Sequence, residues 1–226
     1  MNDLNDTIQT IAVYALPVLF AITLHEAAHA YAAKFFGDTT AYAQGRMSLN
    51  PLKHIDPIGT ILMPILIYIS SFGNFLFGYA KPVPISYGNL RHPKRDMAWV
   101  ALAGPAANFV MAFCWIVFSL LLAVGGVKED FFMQMARAGV LSNLVMFAFN
   151  LLPLPPLDGG RILFSILPNK LAYKFGRIEP YGFYILLGLL MFNSYLHVLD
   201  YWMGPVMAGA EMGLHLLISP LLFLLN

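Results

Sequence analysis

The chain has 226 residues, of which 59% are hydrophobic and only 11% charged, and its formal net charge is +1. A water-soluble domain carries about a quarter charged residues, so this chain lacks the polar surface to cover a globule and its remaining surface is assigned to lipid. The single cysteine, Cys114, excludes an intrachain disulfide and cysteine-rich zinc modules. No basic run is interleaved with aromatics for stacking bases, which argues against nucleic acid.

Residues 1–10 are acidic. The apolar run 11–36 exceeds the roughly 20 residues that a helix needs to span hydrocarbon. It ends in His25-Glu26-Ala27-Ala28-His29 rather than in a small-residue cleavage site, and so reads as a retained membrane helix. Residues 37–56 form a polar connector. Within it Thr39-Thr40-Ala41-Tyr42-Ala43 suits a short strand, and Asn50-Pro51 stops any helix. Residues 57–79 are apolar but interrupted by Pro64 and by Ser70-Ser71-Phe72-Gly73-Asn74.

A basic, proline-containing stretch at 81–96 precedes a second clean span at 97–124 and a polar turn at Lys128-Glu129-Asp130. A third span, 138–152, breaks at Pro153-Leu154-Pro155-Pro156. Residues 159–167 read as helix, 168–179 as a basic connector, and 181–199 and 203–225 as two final spans. The expected fold is a single all-α polytopic membrane domain over 1–226. It has five to six transmembrane helices, a re-entrant hairpin and a short β-like connector near the site.

Residues i and i+4 of a helix lie about 40° apart around its axis, so His25 and His29 present their imidazoles on one face, one turn apart. Two nitrogens so placed can bind one zinc ion. Glu26, about 100° away, can reach a water at the metal without ligating it. Ionisable groups in an apolar span cost at least about 2.5–3.5 kcal/mol each, which makes this trio a functional signal rather than filler. A catalytic zinc takes a third protein ligand and leaves one position open. Asp158 is the acidic residue that fits, in a segment where prolines and glycines break the helix at membrane depth. Read alone, Asp158 serves equally well as the N-cap of the helix that follows. Of the other histidines, His54 and His92 read as solvated in connectors, and His197 and His215 as hydrogen-bonded core residues of late helices.

Taken together, His25-Glu26-Ala27-Ala28-His29 and Asn150-x-x-Pro153-x-x-x-Leu157-Asp158-Gly159 resemble the site-2 protease family of intramembrane zinc metalloproteases. Gly104-Pro105-Ala106-Ala107-Asn108 matches that family's G-P-x-x-N helix start. Lys81-Pro82-Val83-Pro84, and Asn50-Pro51 through Gly59-Thr60, resemble its compact bacterial branch, which lacks a PDZ insertion. The match covers roughly residues 10–170, the implied catalytic core, with 171–226 as C-terminal membrane helices.

The resemblance implies one zinc ion per chain on His25, His29 and Asp158, with Glu26 as general base and acid. It places Asn150 beside the scissile carbonyl and Asn108, with less force, in the same region. Amide donors in a dry cavity can stabilise a developing oxyanion. The implied substrate is a transmembrane protein or peptide, and the implied location is the bacterial inner membrane. A zinc transporter or a non-catalytic membrane scaffold shares the composition. Neither calls for Glu26 beside the first histidine.

Topology supplies a further expectation. If the first helix runs outside to inside, His25, His29 and Asp158 meet only when the chain returns to the same face after 57–79, as a hairpin turning near 70–74 allows. Eleven of the thirteen lysines and arginines then face the cytoplasm, the direction the positive-inside rule demands. An unwound substrate could add as a strand along 39–49 or 81–86.

Overall fold

The computed structural model describes residues 2–63, 66 and 80–225. Among them the regular structure is helical, with no strand: α1 (Asn2–Phe35), α2 (Thr40–Ala43), α3 (Pro93–Val124), α4 (Asp130–Asn150), α5 (Asp158–Ile166), α6 (Asn169–Gly176), α7 (Glu179–Leu196) and α8 (Val198–Leu225). In α1 the stretch Ile8–Phe35 is long and apolar enough to cross a membrane, as are α3 and α4. The chain is thus an all-α integral membrane protein.

These three spans among the described residues stand beside the five to six expected of the whole chain. Residues 181–199 and 203–225 read as separate crossings on composition. The helix breaks at His197, whose φ is +52°, and α7 and α8 meet at 90°. The bent pair adds at most one span to the other three among the described residues. Of the expected hairpin, 57–62 forms a wide π-helical turn, whose first amides Asp56 caps. Residues 64, 65 and 67–79 lie outside the described residues.

The strand expected near residue 40 is instead the single helical turn α2. The β-branched threonines suggested an extended chain, but the Asp38 carboxylate accepts from both the backbone N–H and the hydroxyl of Thr40, which starts a turn. Ala41 then buries against Ala30 of α1 and Val83. Gly45, at φ +63°, ends the turn in a conformation that side chains resist.

Helix polarity follows from contacts at the ends. Gln9 donates to Gln134 at 3.4 Å, which sets the start of α1 beside the start of α4. At the other end the Arg91 N–H donates to Phe36 O at 3.0 Å, so the chain re-enters α3 where it left α1. Lys94, in the first turn of α3, donates to Leu167 O and to Asn169 Oδ1, which brings the exit of α5 to the same end. Helices α1 and α4 therefore run one way and α3 runs back between them.

Lipid supplies no hydrophobic drive between helices, so close backbone approach through small residues carries much of the packing. Ala21, Ala27, Ala30 and Ala33 of α1 and Ala101 and Ala112 of α3 are buried in this bundle. At Gly139 of α4 an added Cβ would lie 2.3 Å from the Trp115 ring, so the indole of α3 rests on bare backbone. Farther along, Leu144 and Ala112 pack on Ala210 and Leu214 of α8.

Candidate metal centre

His25 and His29 are buried on α1 and face α3, where Gly104 leaves room for them. A Cβ on Gly104 would stand 2.4 Å from His29 Nε2 and 2.6 Å from His25 Cε1. The site thus needs glycine here for space, not for backbone freedom.

Each ring is held through its outer nitrogen. His29 Nδ1 lies 2.7 Å from Val100 O. A carbonyl only accepts, so this nitrogen carries the proton. His25 Nδ1 lies 2.7 Å from Asn108 Oδ1. The orientation of that amide is set by its nitrogen, which donates to Ala21 O at 3.2 Å and to Asn143 Oδ1 at 3.0 Å. Asn143 in turn donates to Gly139 O. In the neutral rings both Nε2 atoms are consequently bare lone pairs.

Those lone pairs converge on a third. Asp158 stands at the start of α5, brought there by the tight turns of residues 151–157, which include a cis Pro155-Pro156 bond. An added Cβ at Gly159 would lie 2.2 Å from Leu151 O and one at Gly160 2.4 Å from Pro155 N, so only glycines let this break fold so closely. The side chain of Asp158 does not cap α5. Its Oδ2 lies 3.2 Å from each histidine Nε2, and the two Nε2 atoms are 3.1 Å apart. All three residues are buried, and Oδ2 receives no hydrogen bond.

Three acceptors at this spacing, with no proton between them, repel one another in a dry interior unless a cation lies among them. Zinc fits the set. Its bonds to nitrogen and oxygen of about 2.0–2.1 Å give a tetrahedral edge of about 3.3 Å, close to the separations found. Imidazole and carboxylate are also ligands that zinc accepts.

Glu26 points to another face of α1, half-buried, and its Oε2 accepts from the Val83 N–H at 2.9 Å. Asn150, the last residue of α4, is half-buried and donates to Met146 O at 3.0 Å. Its other amide hydrogen has no acceptor among the described residues. Asn108 is different, because both amide hydrogens and the oxygen are engaged within the helix bundle. It holds a histidine and has no donor left for a substrate carbonyl.

Sequence reading missed several participants. Asn143 had a signal, an amide in the middle of an apolar helix; Val100 O and the Val83 N–H had none, being backbone atoms. His54, expected to be solvated, is 1% exposed, with Nε2 against Ser48 O at 2.8 Å. His197 and His215, expected in the core, are exposed, and His197 pairs with Asp200 at 2.8 Å. The helix break turns His197 outward.

Residues 127–192 match the family model described as Peptidase family M50. The chain is 38% identical over 185 residues to "Putative zinc metalloprotease YwhC" of Bacillus subtilis, covering 78% of each chain. It is 32% identical over 193 residues to "Putative zinc metalloprotease Rip2" of Mycolicibacterium smegmatis, covering 81% of this chain and 70% of the relative. No solved structure shows a significant match. With the family model falling on the break that carries Asp158, and a relative of this identity aligned over most of both chains, the chain belongs to peptidase family M50, the family of the site-2 proteases.

Proposed function

We propose that this integral membrane zinc metalloprotease cleaves transmembrane substrates with His25, His29 and Asp158 as the ligands of one zinc ion and Glu26 as the proton carrier. The observation that supports the ligand set most directly is the convergence of two bare histidine nitrogens and the orphaned Asp158 Oδ2 at 3.1–3.2 Å in a buried site. Zinc bound there supplies a Lewis acid that activates water near neutral pH and polarises a carbonyl.

The chain's own residues supply the rest. Glu26 has two carboxylate oxygens, one tied to Val83 and one free of any hydrogen bond from a described residue. The free oxygen takes the proton of the attacking water and returns it to the leaving amine. Asn150 turns its second amide hydrogen toward the developing oxyanion. Asn108 and Val100 keep both imidazoles in the tautomer that exposes Nε2, the outer-shell role that fixes ring orientation. We read the chain as one domain over 1–226, with the core at 10–170 and membrane helices after it.

The site would open toward the cytoplasm of a bacterial inner membrane. This reading is supported by the bond from the Lys81 N–H to His54 O at 2.9 Å. A single crossing between these two residues would leave them about 30 Å apart on opposite membrane faces. A chain that returns to its starting face keeps the basic connectors together.

The test pairs zinc content with cleavage of a single-span reporter peptide, in wild type and in Glu26→Gln. About one zinc per chain in both, with cleavage in wild type alone, is the expected result. Zinc in neither sinks the metal site. Cleavage surviving in Glu26→Gln removes Glu26 as the proton carrier.

A further inference from the structure

Glu26 is not held by its own helix. Its Oε2 takes the Val83 N–H, which belongs to an extended strap at residues 81–86. Prolines stand at 82 and 84, so Val83 is the only backbone donor between Lys81 and Ile85. The side chain of Val83 is buried against Ala30, one turn beyond Glu26, and against Ala41.

What sets the strap at this height is a small platform at residues 44–54. Arg46 Nη2 donates to Lys81 O at 2.9 Å and to Pro82 O at 3.4 Å, the two carbonyls that precede the Val83 N–H. The Lys81 N–H donates to His54 O at 2.9 Å. The platform is itself braced by His54 on Ser48 O and by Lys53 on Gly45 O. At its far end the strap is fixed by Asp38, which accepts from the Ser86 N–H at 2.6 Å and from Asn89. Burial pushes the Asp38 carboxyl up, but its hydrogen bonds from Thr40, Ser86 and Asn89 outweigh this and hold it below the usual carboxylate range.

Arg46 has no carboxylate partner among the described residues, and its Nε is buried without a partner. Here the charge is committed to two carbonyls of one strap.

We propose that Arg46 is a positioning residue for the cleavage reaction, acting through Lys81, Pro82 and Val83 to fix the Glu26 carboxylate with one oxygen anchored and the other free. The inference rests on the reading of Glu26 as the proton carrier. The hydrogen bonds of Arg46 go to Lys81 O and Pro82 O and to none of the proposed metal ligands. Its loss leaves the zinc site intact and lets the carboxylate swing, which lowers turnover rather than substrate binding.

The measurements are zinc stoichiometry, kcat and KM on the single-span reporter peptide, and hydrogen exchange of the strap amides. Arg46→Ala should keep about one zinc and a KM within about twofold, lose about tenfold in kcat, and exchange faster at Val83. Arg46→Lys, which restores one donor, should recover part of the loss. Val83→Pro deletes the strap's donor directly and should lower kcat by a similar factor, with the double variant no worse than either single one.

A rise in KM with kcat unchanged would overturn the proposal in favour of a substrate-gripping role. Unchanged kcat per zinc-loaded molecule, with only thermal stability lowered, would reduce Arg46 to a brace of the platform. If wild type itself fails to cleave, the protease reading fails. Exchange at Val83 that is equal in wild type and Arg46→Ala overturns the positioning geometry independently of cleavage.

Discussion

The two halves of the helical framework are built on different materials. Where α1, α3 and α4 meet around the site, alanines and glycines bring the backbones close, large side chains such as Trp115, Met135 and Leu144 fill the α3–α4 seam, and the interior beside them is polar: His25, His29, Asn108 and Asn143 are all buried. Where the broken segment meets α7 and α8, the contact is a cluster of large side chains: Leu152, Leu157, Leu186 and Leu199, with Trp202 beside them. The first region brings backbones close so that short polar side chains reach one another. The second fills space. A polar chain of hydrogen bonds tolerates little change in distance, whereas a leucine cluster can repack.

That contrast can be broken at its tightest point. Gly104→Ala puts a methyl where the histidine nitrogens stand, so zinc binding and cleavage should both fall by at least about 100-fold while the protein stays folded. Zinc content and circular dichroism check this. If zinc is retained, the glycine is not making room for the site. Asn108→Ala comes next. It frees the His25 ring and leaves Asn143 without its donor, and zinc affinity should drop about 10–100-fold. Chelator competition reads the change, and an unaltered affinity would show that the tautomer of His25 is set by other means. The smallest effect belongs to the second region. Trp202→Phe removes the indole bond to Ala148 O at 2.9 Å and should cost about 1 kcal/mol of stability with zinc affinity unchanged. If zinc affinity falls with it, the two halves are coupled and the contrast is too sharp.

The same contrast explains what could be read from residue order alone. The two histidines one turn apart, the glutamate between them and the carboxylate in a proline break are all short-range patterns with a direct chemical meaning. The three clean spans were legible because lipid demands long apolar runs. The 90° bend between α7 and α8 was not legible, because composition measures apolar length and not direction, and a break of one residue at His197 carries little compositional signal. The turn at Thr40 was misread because propensity for a strand was overridden by a capping carboxylate two residues earlier. Val100 O and the Val83 N–H were beyond reach, since any residue could supply a backbone atom there. Only the fold says which one does.

The bond between Lys81 and His54 also bears on how this chain can vary. It brings the two ends of the stretch 55–80 together. A change of length between these two residues that preserves the bond leaves the platform, the strap and the buried histidines in register.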